Sequence, residues 1–214
     1  MRALADFVYT FSWRLPGRRW RRLLAFAEAE AESALELRCA AAATSDPERA
    51  ALYLKHAADE ARHAEILQRR ATLARGSAVS LPRRGHARLF ERFGEPVFIA
   101  YVHRGERRGR RQFEAHVRFF ERRDPALAAA LKSILADERR HESYTAELLA
   151  GPLADGAPAA RRRARRVDLG DRWRRVGSAL TGPLFAVLML LLYVLAAPLA
   201  LGARGDRAGW RTHD

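Results

Sequence analysis

Thiols are almost missing from this chain. Cys39 is the only cysteine in 214 residues, which excludes an intrachain disulfide framework, a Cys-x-x-Cys metal knuckle and a dithiol redox pair. Nothing here asks for an oxidising compartment. Long stretches that alternate apolar and polar residues, the mark of a half-buried strand, are missing too. Acidic residues are outnumbered, 25 against 39 Lys and Arg, for a net charge of +14. Charge of either sign is absent from Val176 to Ala203. What the chain does have is Ala, Leu, Arg and Glu, all good helix formers, and the expected fold class is all-α.

The uncharged stretch contains "ALTGPLFAVLMLLLYVLAAPLAL", Ala179–Leu201, 23 residues long. A spanning helix needs about 20 apolar residues, so a C-terminal transmembrane helix is expected over 177–203. Arg161, Arg162, Arg163, Arg165, Arg166, Arg172, Arg174 and Arg175 precede it, whereas only Arg204, Arg207 and Arg211 follow. The side richer in Arg stays in the cytoplasm. The expectation is a single-pass membrane protein with its N-terminal domain cytoplasmic, the lipid bilayer as a partner, and the basic excess facing acidic lipid. No recognised nucleic-acid motif accompanies the charge, so no nucleic-acid partner is expected.

Punctuation divides the rest. Residues 1–17 mix aromatics with Arg and form an amphipathic lead-in, lying in a membrane interface or capping the domain. Residues 18–150 hold four helices. The first runs from about Arg18 to the stop at "TSDPE", and the second from Pro47 to about Ala74. A connector rich in Gly, Pro and Arg (Arg75–Gly94) has room for one short helix. The third starts at Pro96 and runs to about Arg122, the fourth from Pro125 to about Ala150. Asp46 and Asp124 are good N-caps, each followed by Pro in the first turn. A basic linker (151–176), the apolar span (177–203) and a short tail (204–214) complete the chain.

Six letters recur. "ADEARH" occupies Ala58–His63 and "ADERRH" occupies Ala136–His141, 78 positions on. Asp46 to Glu60 is 14 positions, and so is Asp124 to Glu138. Each Glu-x-x-His thus stands at one height above its own Asp-Pro turn. This predicts a duplicated helical hairpin, and two hairpins make a four-helix bundle. Positions three apart share a helix face, so Glu60 with His63, and Glu138 with His141, can point inward. They follow the apolar stripes Leu52, Tyr53, Leu67 and Leu131, Ile134, Leu148. Buried carboxylates close to one another are costly unless a cation lies between them.

A pair of metal ions needs one more Glu from each remaining helix. Glu32 lies 14 positions before Asp46, about 21 Å along a helix, level with Glu60; Glu30 is its near competitor. On the third helix Glu106 shares a stripe with Ile99, Val102, Phe113, Val117 and Phe120, whereas Glu114 lies among Arg107, Arg111, Arg118 and Glu121. Glu106 stands a turn too far from Asp124, which a π-bulge eased by Gly105 and Gly109 would absorb. The expected metal ligands are Glu32, Glu60, His63, Glu106, Glu138 and His141. Imidazole with carboxylate suits iron, and also manganese. His56, a turn before Glu60, reads as packing or support for a ligand. Tyr53 and Tyr144 read as core residues able to make a hydrogen bond or carry a radical.

From Ala25 to about Ala150 this order of residues resembles the ferritin-like di-iron carboxylate superfamily, on the rubrerythrin side; Glu32-Ser33 is similar to the first-helix motif there. The resemblance implies a ferritin-like bundle and two iron ions as cofactor, with manganese as the alternative. It implies that Asp59 orients His141 and that Asp137 orients His63. It implies an oxidoreductase of peroxidase or oxidase type that reduces O2 or peroxide. The lone cysteine cannot build a rubredoxin-like site, so an external electron donor would be needed. The extra carboxylate that rubrerythrins carry three positions after the third-helix Glu is here Gly109; His103 is the candidate extra ligand. Two alternatives stay open: hydroxylation of a membrane lipid or quinone, and non-catalytic iron binding or sensing. A homodimer is also left open.

Overall fold

The computed structural model describes residues 10–14, 17–81, 88–171, 173, 187 and 189–192. Among these the chain is all-α, with no strand. A 3-10 turn at Phe11–Arg14 leads into α1 (Arg19–Ala43), α2 (Pro47–Arg75), the short α3 (Leu89–Phe93), α4 (Glu95–Phe120) and α5 (Pro125–Ala150). Two compact units are distinguished, 1–165 and 166–214, and the helices α1 to α5 all belong to the first.

Both Asp-Pro turns start helices in the same way. The Arg49 N–H donates to Asp46 Oδ1 at 2.9 Å, and the Leu127 N–H donates to Asp124 Oδ1 at 2.9 Å. Each satisfies one of the N–H groups that a helix start leaves without an intrahelical partner. Arg19 at the start of α1 also pairs with Asp124, tying the two hairpins together. At the other end of α2, Gly76 takes φ +76° and returns its N–H to Thr72 O at 2.9 Å, the left-handed stop that glycine adopts without strain. Glu36 of α1 accepts the N–H groups of Arg88 and Leu89, both at 2.9 Å, and so caps α3.

α1 packs along α2, and α4 along α5, with α2 also against α5. One end of this helical bundle is filled by Leu23, Ala27, Leu67, Ala71, Phe113, Val117, Phe120, Leu127, Leu131 and Ile134. The other end buries Leu37, Ala40, Tyr53, Phe98, Ile99 and Leu149. The polar residues lie between these two dry ends. Trp13 closes the first end, its ring edge-on to Phe120 with centroids 5.1 Å apart. The described part of the lead-in therefore caps the bundle; residues 1–9, 15 and 16 lie outside the described residues.

Several expectations need correction. α4 is α-helical throughout, without the expected π-bulge. Leu52, expected on the inner stripe, is exposed. The stretch read as a basic linker is helical over 157–171, in keeping with its Ala and Arg content. The single-pass membrane localisation is also overturned: among the described residues no helix is long and apolar enough to cross a membrane. A span requires one unbroken helix as well as apolar letters. Of the expected transmembrane segment 177–203 only 187 and 189–192 are described, and the 204–214 tail lies wholly outside the described residues.

The capping geometry makes a prediction. Asp124→Ala should cost about 1 kcal/mol, a fall in Tm of about 2–4 °C for a chain of this size. Burial tends to raise the Asp124 carboxyl, but the Leu127 N–H and Arg19 outweigh it and hold its pKa below the ordinary value. A lowered carboxylate pKa adds stability that is present at neutral pH and lost as the group protonates. The difference in Tm between wild type and Asp124→Ala should therefore be full near pH 7 and shrink below about pH 4, as thermal melts across that range would record.

Candidate metal centre

α2 contributes His56, Glu60 and His63, spaced four and then three apart on its inner face. α5 contributes Glu138 and His141, α4 contributes Glu106, and α1 contributes Glu30. All but Glu30 are buried as whole residues, and Glu30 is half-buried. Two sets of donor atoms result: His56, Glu60, Glu106 and His141; and Glu30, Glu60, His63 and Glu138. Within each set the donor atoms lie within 4.8 Å of one another, and Glu60 belongs to both. In the first set, Glu60 Oε1 is 3.2 Å from His56 Nε2 and 3.3 Å from His141 Nδ1. In the second it is 3.6 Å from His63 Nδ1, which lies 3.8 Å from Glu138 Oε1.

The two motif histidines are held from behind, crosswise. His63 Nε2 lies 2.9 Å from Asp137 Oδ2, and His141 Nε2 lies 3.2 Å from Asp59 Oδ2. Arg62 Nη2 reaches Asp59 and Asp137, both at 2.7 Å. Arg140 reaches the same two carboxylates at 3.3 and 2.5 Å. Burial works to raise the Asp137 carboxyl, but His63, Arg62 and Arg140 hold it down at about 2. An ionised Asp on Nε2 fixes the ring and turns Nδ1 inward. Both Nδ1 atoms, of His63 and His141, are buried without a hydrogen-bond partner. Two orphaned imidazole nitrogens aimed at a group of carboxylates are what a metal ion would satisfy.

Electrostatics agrees. Burial, followed by the charges of Glu60, Glu138 and Glu106, pushes the Glu30 carboxyl well above its ordinary range, and Glu30 shares a hydrogen bond with Glu60. Burial with Glu106 and Glu60 does the same to Glu138. Burial would raise Glu60 as well, but the three surrounding histidines outweigh it and hold Glu60 ionised. Burial pulls His141 down, yet Glu106 and Glu60 push it up to about 10. Protons gather where positive charge is short, and a divalent cation supplies the same charge without them.

Of the expected ligands, Glu60, His63, Glu106, Glu138 and His141 are brought together. Glu32 is in neither set, and Glu30 takes the place expected for it. The reason is the helix face. Glu30 falls on the buried stripe Leu23, Ala27, Ala34 and Leu37, whereas two residues further along turn a side chain by about 200°. Height does not single out Glu32 either. Glu30 lies 16 positions before Asp46, between the levels of Glu60 and His63, and Glu106 lies 18 before Asp124, level with His141, so no bulge is needed. His103, the candidate extra ligand, is in neither set; its Nδ1 lies 3.1 Å from Thr145 Oγ1. Glu114 pairs with Arg110 and Arg139. His56 joins the ligand atoms unexpectedly, although its place on the inner seam with Glu60 and His63 was a signal for it. The set can hold a metal ion, and imidazole with carboxylate does not select which.

No family model matches this chain, and neither the curated proteins nor the solved structures include a match to it.

Two variants test the centre without removing a helix. Glu138→Gln relieves one of four converging carboxylates. The metal-free variant should melt no lower than wild type and up to about 2–4 °C higher, if roughly 1 kcal/mol of repulsion is lifted; the Tm gain of wild type on adding Mn(II) should disappear. Gly109 is the second position. A Cβ there would come 2.5 Å from Glu138 Oε2. Gly109→Ala gains about 0.5–1 kcal/mol of helix propensity, which overpacking at about 1–3 kcal/mol offsets. The variant should be no more stable than wild type, while the displaced carboxylate weakens Mn(II) binding, read by calorimetric titration. Unchanged binding in both variants would remove Glu138 from the centre.

Proposed function

We propose that this chain is a ferritin-like dinuclear metal protein, holding two iron ions or alternatively manganese, and that it is an oxidoreductase reducing O2 or peroxide. The observation that carries this reading is Glu60, whose carboxylate belongs to two ligand sets drawn from four helices. The repeated Asp-x13-Glu-x-x-His register and the crosswise Asp–His pairs support the ferritin-like reading.

Each residue has a part. Glu60 joins the two positions. Glu30 and Glu106 bring carboxylates from the outer helices, and Glu138 faces Glu60 across the bundle. Asp59 and Asp137 hold the imidazoles of His141 and His63 with Nδ1 inward. The apolar ends of the bundle keep bulk water from the carboxylates, so the charges act in a medium of low dielectric. Tyr144, whose Oη lies 2.7 Å from His56 Nδ1, is a proton-bearing group beside the cluster. A bound iron pair supplies electrons for reducing peroxide to two waters, which consumes two electrons and two protons. Cys39 alone builds no redox centre, so the electrons come from an external donor.

The test uses the full chain loaded with Fe(II) without oxygen, then given peroxide and excess ascorbate. Two iron ions per chain and many turnovers are expected, with neither in the Glu60→Ala/Glu138→Ala double variant. Retention of two ions by the double variant would sink the site. Two ions in the wild type with no turnover would leave an iron-holding protein and remove the oxidoreductase assignment.

A further inference from the structure

The internal repeat allows each half of the centre to be compared with the other, residue for residue. His141 of the first set corresponds to His63 of the second, and Glu60 corresponds to Glu138. Each half also takes a carboxylate from an outer helix, Glu106 and Glu30, although these stand 18 and 16 positions before the Asp of their own turns. His56 lies 10 positions after Asp46, and the residue 10 after Asp124 is Ile134. Tyr144 lies 20 after Asp124, and the residue 20 after Asp46 is Ile66. The polar pair His56 and Tyr144 on one side is thus matched by the apolar pair Ile134 and Ile66 on the other. Ile134 is part of the apolar cluster, and Ile66 packs against that cluster.

His56 is placed as a ligand would be. Its exposure is 1%. Nδ1 is engaged by Tyr144 at 2.7 Å, which leaves Nε2 facing Glu60 Oε1 at 3.2 Å and Glu106 Oε1 at 3.6 Å. The ring lies over that of His141, centroids 3.6 Å apart. The first set therefore offers two imidazoles and two carboxylates, and the second one imidazole and three carboxylates.

We propose that His56, held by Tyr144, makes the two metal positions chemically unequal, so that they fill in order and with different preferences. This rests on the dinuclear reading above. The nitrogen-rich position (His56, Glu60, Glu106, His141) takes the first ion and favours the later first-row divalent ions. The oxygen-rich position (Glu30, Glu60, His63, Glu138) fills second and accepts Mn(II) readily, because imidazole suits the later metals while carboxylate suits manganese and magnesium.

The experiment is a titration of the metal-free full chain with Co(II), followed by visible absorption and calorimetry, and a parallel loading with equal Co(II) and Mn(II). Wild type should show two resolved steps and, from the mixture, one ion of each kind. His56→Ile copies the residue of the other half. Groups that merely support a ligand are worth about 10–100-fold in affinity, so losing this ligand should weaken the first step at least about tenfold and leave the second unchanged. The two steps should then merge and the mixed loading lose its one-to-one ratio. His56→Gln, which keeps a polar group in the site, should do the same, and the helical circular dichroism of both variants checks the fold. Two indistinguishable steps in wild type, or an unchanged first step in both variants, would overturn the role of His56 and leave the dinuclear site standing. Fewer than two ions in wild type would overturn the dinuclear reading and this inference together.

Discussion

Four carboxylates, Glu30, Glu60, Glu106 and Glu138, meet in the middle of a helical bundle, three of them buried, and most of the surrounding structure answers the cost of putting them there. An unpaired carboxylate in a low-dielectric interior is among the most expensive groups a protein can bury. Three imidazoles line the same space. Burial and their mutual charge push Glu30 and Glu138 above the ordinary carboxylate range, and Glu106 and Glu60 push His141 up. Two groups of donor atoms, each lying within 4.8 Å of one another, are the physical basis for reading this place as one for a metal ion, since a divalent cation offsets the charge of converging carboxylates.

Behind the histidines, Asp59, Asp137, Arg62 and Arg140 form a reciprocal set in which each arginine touches both aspartates. The arginines are about half exposed, so as ion pairs they contribute little to stability. Their consequence is directional. They hold two aspartates ionised, the aspartates engage two Nε2 atoms, and two Nδ1 atoms are left facing the carboxylates. A network of this kind explains why Asp and Arg accompany Glu and His in both copies of the repeated hexapeptide.

The bundle makes this possible by being unequal along its length. Leucine, isoleucine and phenylalanine fill the end near the Asp124 turn, and Tyr53, Phe98 and Ile99 fill the other. The polar layer lies between two packed blocks that fix the helices in register. Asp-Pro turns set where α2 and α5 start, so the motif residues of both helices arrive at one level. Gly109 leaves room where any larger residue would meet the carboxylate of Glu138.

Local chemistry was enough to read the four long helices, their starts at Asp46-Pro47 and Asp124-Pro125, the repeated hairpin and five of the seven residues that come together in the two groups of donor atoms, because caps, periodicity and spacing act over a few residues and are written in adjacent letters. Glu30 and His56 were decided only in three dimensions. Height along a helix separates Glu30 from Glu32 by about 3 Å, less than the slack in a turn, whereas the face each presents depends on which neighbours pack against it. His56 has its Nδ1 2.7 Å from the hydroxyl of Tyr144, 88 positions away, a contact that no local reading contains. Among the described residues no helix is long and apolar enough to cross a membrane. Sequence thus determined which residue types recur at which spacing, and the fold alone decided which of them share one small volume, since only packing between distant segments brings charges close enough to need one another.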